Sequence, residues 1–424
     1  MSGLSRASLK VNFSWMLFGN LVYAAAQFGI VSAMAKVGGR DDLGIFTLAL
    51  ALTAPVFAFT NLNLRAVLAT DADEEHAFAD YFGQRTLASS AAVLVIAGVL
   101  AVTGYAVEVV AVTAIVGLAK AVESLSDILY GLFQRRERMD GIARSLMLRG
   151  PPNLVIIAAL LWWTGSLMWA LVGQLALWVG VLILHDLPRA QVVLGAERLK
   201  PRFAGEALRT LSWTALPLGI VILLFSLNAN IPRYILERHV DLFELGVFGG
   251  LFWLVQAGQT VIRSLGQAAV PRLAAHYAAG RRGRFVKLVL ALQGFAVCVG
   301  AAGVGVAYFL GGPLLTVVYT AEHAAYTDVF VVVMLAGALT YMTWFFTNIV
   351  TAARLFRPQV PIAISATATT LGACLLWVPE HGILGAAWAW VAAQVVLLAW
   401  GVGLTVFAIA ALRKHADTES TPAA

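Results

Sequence analysis

The chain has few of the residues on which soluble proteins, disulfide-linked proteins and metalloproteins depend. Only 12% of its 424 residues are charged, while 60% are hydrophobic. A water-soluble globule needs far more polar surface, so this composition excludes that class. The two cysteines, Cys298 and Cys374, lie in apolar stretches without CxxC spacing, and the seven histidines form no HExxH motif. We therefore predict no disulfide and no metal site.

Signatures of catalysis, cofactor binding and nucleic acid recognition are also missing. The sequence has no nucleotide-binding loop and no grouping of nucleophile, base and orienting residue, so we predict neither an enzyme nor a cofactor. A net charge of +6 would suit nucleic acid, but the basic residues are spread over short loops. Membrane topology and lipid headgroup contacts explain them, and no nucleic acid partner is expected.

The chain contains instead a series of long apolar stretches. A membrane-spanning helix needs roughly 20 mostly apolar residues, and about twelve stretches meet that length. The first stretch follows Arg6 and Lys10 and is too long for a signal-peptide core. The predicted spans are 11–35, 43–69, 84–104, 107–133, 144–164, 167–186, 208–230, 244–268, 285–310, 327–350, 359–378 and 383–411.

Basic residues alternate between the two sides of the membrane. Most of the 29 Lys and Arg residues lie in or beside every second break between the apolar stretches, and the alternating breaks hold only Lys36, Arg40, Arg233 and Arg238. Loop Lys and Arg are retained on the cytoplasmic side. The pattern predicts a multi-pass membrane protein whose basic loops and both termini face the cytoplasm.

The two halves of the chain repeat one another in order. The matching pairs are Ser14-Trp15 with Ser212-Trp213, and Leu43-Gly44-Ile45-Phe46 with Leu245-Gly246-Val247-Phe248. Because each half has an even number of spans, the repeats share one orientation. We predict an all-α polytopic membrane protein with two pseudo-symmetric six-helix bundles around a central cavity. Its parts are an N-terminal lobe (1–186), a cytoplasmic linker (187–207), a C-terminal lobe (208–412) and a disordered cytoplasmic tail (413–424).

Polar residues inside the spans identify candidate ligands, because they are costly at membrane depth unless they face water or a partner. Four on the eighth span share one helical face: Gln256, Gln259, Arg263 and Gln267. Arg263 either faces the cavity or extends to the cytoplasmic headgroups. A second stripe, which includes Thr343 and Trp344, lies on the tenth span.

The second span supplies the matching candidates from the first half. It carries Asn61 and Arg65, which the repeat aligns with Arg263 and Gln267. Two guanidinium groups near the inner mouth of a cavity could hold a diphosphate through paired, charge-assisted hydrogen bonds. The first span adds a neutral polar face that suits either sugar hydroxyls or contacts between helices, formed by Asn20, Tyr23 and Gln27.

The fourth span has the densest charge. Lys120, Glu123 and Asp127 are followed on the same face by Tyr130 and Gln134. Lys120 and Glu123 form either a structural pair or a functional one, in which Lys120 meets an anionic substrate and Glu123 or Asp127 exchanges a proton or sodium ion. For Asp127 we predict pairing with the basic loop that follows, at Arg135, Arg136 and Arg138.

The ordered motifs resemble one family, the Wzx-type polysaccharide and O-antigen flippases of the multidrug/oligosaccharidyl-lipid/polysaccharide exporter (MOP) superfamily. The matching pieces are Leu43–Phe46, Ala269-Val270-Pro271-Arg272-Leu273 before the basic loop Arg281–Arg284, and His381–Ala387 at the start of the last span. The resemblance implies two lobes in a bacterial inner membrane. It also implies transfer of undecaprenyl-diphosphate-linked oligosaccharide between leaflets, with a glycan polymerase and glycosyltransferases as partners. Arg65, Arg263 and Lys120 would then supply the cationic cavity of that family.

Three other functions stay open. A cation-coupled multidrug exporter of the MATE type has the same fold, but it usually needs a carboxylate inside the membrane. The first, second, seventh and eighth spans have none in their interiors. A membrane-embedded glycan polymerase or ligase typically has a long periplasmic loop, which is missing here. A twelve-helix sugar or metabolite transporter is the third possibility.

Overall fold

The computed structural model describes residues 9–71, 75–195, 197–352 and 358–419. Within these ranges the chain is almost entirely helical and has no strand, which confirms the all-α prediction. The chain divides into two compact units, Met1–Asn230 (unit 1) and Ile231–Ala424 (unit 2).

Unit 1 contains eight helices and the first part of a ninth. Their bounds are α1 (Leu9–Val37), α2 (Asp42–Thr60), α3 (Leu64–Thr70), α4 (Phe78–Thr103), α5 (Val107–Arg135), α6 (Met139–Thr164), α7 (Leu167–Val181), α8 (Leu187–Leu194) and α9 (Gly205–Leu236). The border between the units therefore lies inside α9, whereas the sequence placed this helix wholly in the C-terminal lobe.

Unit 2 contains the end of α9 and four long helices. They are α10 (Leu242–Ala278), α11 (Arg282–Val318), α12 (Thr327–Ala352) and α13 (Gln359–Glu419). A 3-10 segment, Ala321–Tyr326, precedes α12. Residues 413–419 of the predicted disordered tail continue α13, and residues 420–424 lie outside the described residues.

Eleven helices of the described chain are long and apolar enough to cross a membrane. The last apolar stretch, Val360–Leu412, has 53 residues, and a straight helix of that length would measure about 80 Å against roughly 30 Å of hydrocarbon. Gly382 interrupts it with φ 51° and ψ −132°, a conformation open to glycine. Two crossings on either side of Gly382 give the predicted total of about twelve, and the chain is a multi-pass membrane protein.

The predicted second span, 43–69, is interrupted. Helix α2 ends at Thr60, and α3 starts again at Leu64. Leu62 and Asn63 between them have φ of 49° and 52°, left-handed values that side chains with a Cβ rarely adopt. This α2–α3 turn has no counterpart in α10, which continues without a break through the repeat-related residues 263–265.

The predicted linker is folded onto unit 1. Helix α7 passes through a π-helical turn, Leu182–Asp186, directly into α8. Farther on, the Arg202 N–H donates to the Ala79 carbonyl at 2.9 Å, and its guanidinium forms an ion pair with buried Asp80 that raises the pKa of Arg202. Gly83 of α4 permits this contact, because a Cβ there would overlap the Arg202 backbone.

Helix α5 organises unit 1. It packs against α2, α3, α4, α6, α7 and α8, and four of its apolar side chains are fully buried: Ile128, Leu129, Leu132 and Phe133. In unit 2, α12 packs against α10, α11 and α13. There the Tyr341 hydroxyl of α12 donates to the Val255 carbonyl of α10 at 2.8 Å.

The repeated Leu-Gly-x-Phe motif is a packing element in both units. Near the start of α2, Leu43 and Phe46 are buried, and near the start of α10, Leu245 and Phe248 are buried. The motif therefore anchors the first turns of two related helices.

Candidate functional site

The candidate site in unit 1 centres on one carboxylate between two guanidinium groups. Asp127 of α5 binds Arg65 of α3 at 3.1 Å through one oxygen and Arg85 of α4 at 3.3 Å through the other. Arg65 also donates a longer hydrogen bond to Gln134 at 3.4 Å and lies over the Tyr130 ring at 5.7 Å. Two positive charges thus share one negative charge.

The two arginines of this cluster differ in exposure. The Arg85 side chain is fully buried, while 29% of Arg65 is exposed. The Nε and Nη1 atoms of Arg85 are buried and have no hydrogen-bond partner among the described residues. A buried guanidinium without a carboxylate is strongly destabilising, so Asp127 is required first of all by Arg85.

The partner predicted for Asp127 was wrong. Its carboxylate binds Arg65 and Arg85, not the loop residues Arg135, Arg136 and Arg138. Arg135 lies 4.0 Å from Asp71, and Arg138 pairs with Asp140 at 3.0 Å, a hydrogen bond that raises the pKa of Arg138. Among the described residues, Asp71 and Asp140 therefore supply carboxylates to Arg135 and Arg138, while Asp127 is held by the arginines of α3 and α4.

Arg65 is placed by the α2–α3 turn and by a close helix contact. It lies two residues beyond Asn63, in the first turn of α3. Gly131 of α5 faces it, since a Cβ on Gly131 would lie 3.4 Å from the Arg65 Cα and 3.0 Å from Leu68 Cδ2. A cavity of about 290 Å³ borders the turn at Leu62. Most of its lining is apolar: Phe59, Thr60, Leu62, Gln84, Ala88, Ser212, Trp213 and Leu216.

Lys120 and Glu123 form the pair that their spacing allowed. The ammonium donates to the carboxylate at 2.8 Å, and both side chains are about one third exposed, 30% and 37%. A partly exposed pair retains a surface on which Lys120 could meet an anion. The structure is compatible with both interpretations of this pair.

A second buried network in unit 1 was not predicted. Arg149 of α6 donates to Asp186 at 3.1 Å, and Ser126 of α5 donates to the same oxygen at 2.8 Å. The other Asp186 oxygen lies 2.9 Å from His185 Nδ1. Asp186 ends a π-helical turn, in which the extra residue per turn changes the direction of the side chains relative to α7. Its side chain is fully buried in unit 1. Helix α5 therefore carries polar groups on two faces.

The neutral candidates of α1 contact their own helix or its neighbours. The Asn20 amide donates to the Met16 carbonyl at 2.8 Å. Tyr23 and Gln27 are hydrogen-bonded to one another, and Tyr23 lies within electrostatic range of Glu123 and Arg149. Asn61 ends α2, and its buried side-chain oxygen has no partner among the described residues.

The candidate site in unit 2 has another design. The Arg263 guanidinium lies over the Trp344 ring, 5.0 Å from its centre. Among the described side chains it has no carboxylate and no hydrogen-bond partner. A ring face attracts the cation without neutralising it. The positive charge of Arg263 therefore stays available to an anion.

The amides predicted to surround Arg263 are only partly grouped. Gln259 is buried and Gln256 is half-buried. Gln267 lies in α10, but its side chain is outside the described residues. On the facing helix, Thr343 donates to Gln394 of α13 at 3.1 Å, a buried hydrogen bond that ties α12 to α13.

These sites are suited to binding an anion. The guanidinium of each site, Arg65 in unit 1 and Arg263 in unit 2, is not fully neutralised. Among the described residues no three His, Cys, Asp or Glu side chains come together as a metal ion would need, and the absence of a metal stays a prediction.

The chain is similar in fold to solved transporters and flippases. The lipid II flippase MurJ in an inward closed conformation superposes with a TM-score of 0.70 at 10% identity, over 97% of this chain and 94% of that chain. An inward-facing multidrug resistance MATE family transporter of the MOP superfamily gives 0.65 at 14% identity, over 98% and 97%. No protein-family model matches the chain.

The chain is also similar in sequence to a protein that is named for polysaccharide biosynthesis. The capsular polysaccharide biosynthesis protein CapF of Staphylococcus aureus is 23% identical over 380 residues, which cover 89% of this chain and 94% of that protein. The resemblance to polysaccharide flippases of the MOP superfamily is confirmed by these findings together. The likeness to solved structures concerns the fold, in which transporters and flippases occur.

Proposed function

We propose that the protein is a flippase that moves a lipid-diphosphate-linked oligosaccharide from the inner to the outer leaflet of a bacterial cytoplasmic membrane by alternating access. The observation that carries this proposal is the incomplete neutralisation of Arg65 and Arg263. A similar protein is named for polysaccharide biosynthesis, and the diphosphate is the anionic part of such a substrate.

The proposed chemistry is recognition without bond making. Arg65 and Arg263 hold the diphosphate through charge-assisted hydrogen bonds, whose planar geometry suits phosphate oxygens better than an ammonium does. Lys120, Asn20, Tyr23, Gln27, Asn61, Gln256, Gln259 and Gln267 line a polar central cavity for the glycan, while the lipid tail stays in the bilayer. In this proposal the lobes 1–186 and 208–412 enclose the cavity, and both termini face the cytoplasm.

A cation-coupled multidrug exporter is supported less well. The carboxylates on α5 that could bind a coupling ion or a cationic drug are already engaged, Glu123 by Lys120 and Asp127 by two arginines. A carboxylate in an ion pair attracts a further cation weakly. We propose that the protein is not an enzyme. Its proposed partners are a glycan polymerase and glycosyltransferases.

Glycan export in cells tests the proposal. The chain is expressed in a strain that lacks its own flippase and depends on this protein for surface polysaccharide. Arg65→Ala and Arg263→Ala should each abolish surface glycan at normal protein abundance, and the Lys variants should retain part of it. Arg189→Ala is the control, since this partly exposed guanidinium pairs with Asp140, a carboxylate that neither site uses. Normal export by both Ala variants would refute the proposed ligands.

A further inference from the structure

We propose that Arg85 and Asp127 are positioning residues that decide whether Arg65 is available to the diphosphate. This inference rests on the proposed function. In the structure Asp127 divides its two oxygens between Arg65 and Arg85. The arrangement is one of two that the same three side chains permit.

The second arrangement has Asp127 bound by Arg85 alone. Arg85 uses only Nη2 on Asp127, and its buried Nε and Nη1 have no partner among the described residues. A guanidinium presents its donors as a planar fork that matches both oxygens of one carboxylate. When Asp127 turns fully to Arg85, it satisfies an unpaired donor and releases Arg65.

The exchange keeps the buried charge neutralised throughout. Arg85 has no exposed surface and must keep a carboxylate, whereas Arg65 is 29% exposed and tolerates separation. A diphosphate that approaches Arg65 therefore replaces Asp127 as its partner, and Arg85 takes the displaced carboxylate. Asp127 acts as a counter-charge that gives way to the substrate, not as an ion-coupling group.

The backbone break before Arg65 is where the exchange would be accommodated. Arg65 follows the left-handed residues Leu62 and Asn63, where the helix is already interrupted. Such backbone conformations are held by their surroundings and concentrate at switch regions. The cavity beside Leu62 gives this turn room to rearrange.

Binding of inorganic pyrophosphate to the purified full-length protein in detergent, measured by calorimetry, tests the inference. Arg85→Gln leaves Asp127 wholly to Arg65 and should weaken binding at least fivefold. Arg85→Lys still holds the carboxylate and should bind within about twofold of the unchanged protein. Arg85→Gln/Asp127→Asn frees Arg65 without leaving a buried charge and should bind at least as tightly as the unchanged protein. Arg189→Gln is the control and should change nothing.

The order of these affinities separates positioning from a structural role. If Arg85 only supported the fold, the double variant would bind as weakly as Arg85→Gln or more weakly, and that result would overturn the inference. Should Arg85→Gln fail to fold, the double variant, which has no unpaired buried charge, still has to meet its expected affinity. Unchanged pyrophosphate binding by Arg65→Ala would also overturn it.

Failure of the inference is distinguishable from failure of the proposed function. If the affinities follow the expected order but the unchanged protein restores no surface glycan in the strain that lacks its flippase, the exchange stands and the flippase proposal fails. If export requires Arg65 but Arg85→Gln binds pyrophosphate like the unchanged protein, the exchange fails and the flippase proposal stands.

Discussion

Each unit places one of the two candidate arginines within about one helical turn of the same point in the repeat, and the surroundings of the two charges differ. In unit 1, Arg65 belongs to a cluster with Asp127 and a second, buried arginine. In unit 2, Arg263 rests on the face of Trp344 and has no carboxylate among the described side chains. The helix that carries Arg65 is interrupted just before it, whereas α10 is continuous through Arg263.

The difference shows how a membrane protein can retain a usable positive charge in two ways. An ion pair holds a guanidinium in place, but the carboxylate neutralises its charge. The guanidinium becomes available to a ligand only when the carboxylate binds another partner. An aromatic ring fixes a cation weakly and leaves its charge exposed to a ligand. Unit 1 is therefore suited to a switch, and unit 2 to a permanent contact.

The largest effect should come from breaking the buried pair in unit 1. Asp186→Asn leaves Arg149 buried without a carboxylate, which should lower the free energy of unfolding by about 3–5 kcal/mol. Arg149→Met/Asp186→Leu removes both charges and should recover most of that loss. Thermal unfolding in detergent measures both. Arg263→Met in unit 2 should cost far less, and an equal loss there would contradict the contrast between the units.

Replacing a glycine at a contact between helices should give the next largest loss of stability, and the loss should be larger in unit 2. A Cβ on Gly258 of α10 would overlap the rigid ring and hydroxyl of Tyr341, so Gly258→Ala should cost about 1–3 kcal/mol. Gly131→Ala in unit 1 meets the flexible end of Leu68 at 3.0 Å and should cost less. Gly403→Ala in α13, which has open space, is the control. The order of the three melting temperatures checks this prediction.

The cation and ring in unit 2 should be coupled more weakly than any buried ion pair. A double-mutant cycle of Arg263→Gln and Trp344→Leu should give a coupling free energy of about 0.5–2 kcal/mol. The same cycle on Arg65 and Tyr130, whose separation is 5.7 Å rather than 5.0 Å, should give a smaller value. Both are measured from denaturant unfolding, and a larger coupling in unit 1 would reverse the comparison.

The smallest effect concerns the backbone at repeat-related positions. At Asn63, with φ of 52°, glycine should be more stable than alanine by about 1 kcal/mol. At Leu265, inside the continuous α10, alanine should be more stable than glycine by about 1 kcal/mol. Unfolding of the four variants tests the opposite signs. If the stability difference between the Gly and Ala variants had the same sign at both positions, the left-handed backbone at Asn63 would not be what distinguishes unit 1 from unit 2.

The sequence was sufficient for the helices because membrane spans are determined by length and apolarity. It predicted about twelve spans, and the roles of Arg65 and Arg263 stay predictions. It did not predict the α2–α3 turn, since Asn61, Leu62 and Asn63 are compatible with a helix by composition. Leu62 and Asn63 nevertheless adopt left-handed conformations, and Leu62 and Leu64 beside the turn are buried in unit 1.

The partners inside unit 1 could not be predicted, because contacts between helices depend on packing. Arg85 lies at the edge of its predicted span, where an arginine usually reaches the headgroups. Its full burial against Asp127 follows from the position of α5. Asp186 was assigned to the end of a regular span, and the π-helical turn that moves it into the interior changes the periodicity on which the prediction relied. No sequence pattern marked Asp127 as the partner of Arg85 or Asp186 as the partner of Arg149.

The attachment of the linker to α4 limits what the next helix can do. Arg202 is fastened to Asp80 and Ala79, and α9 begins at Gly205, so only Phe203 and Ala204 lie between. Two extended residues reach about 7 Å. The first turn of α9 is therefore held close to α4. The helix can tilt about that end, but a translation along its own axis by more than about one turn would first have to break the contacts of Arg202 with Asp80 and Ala79.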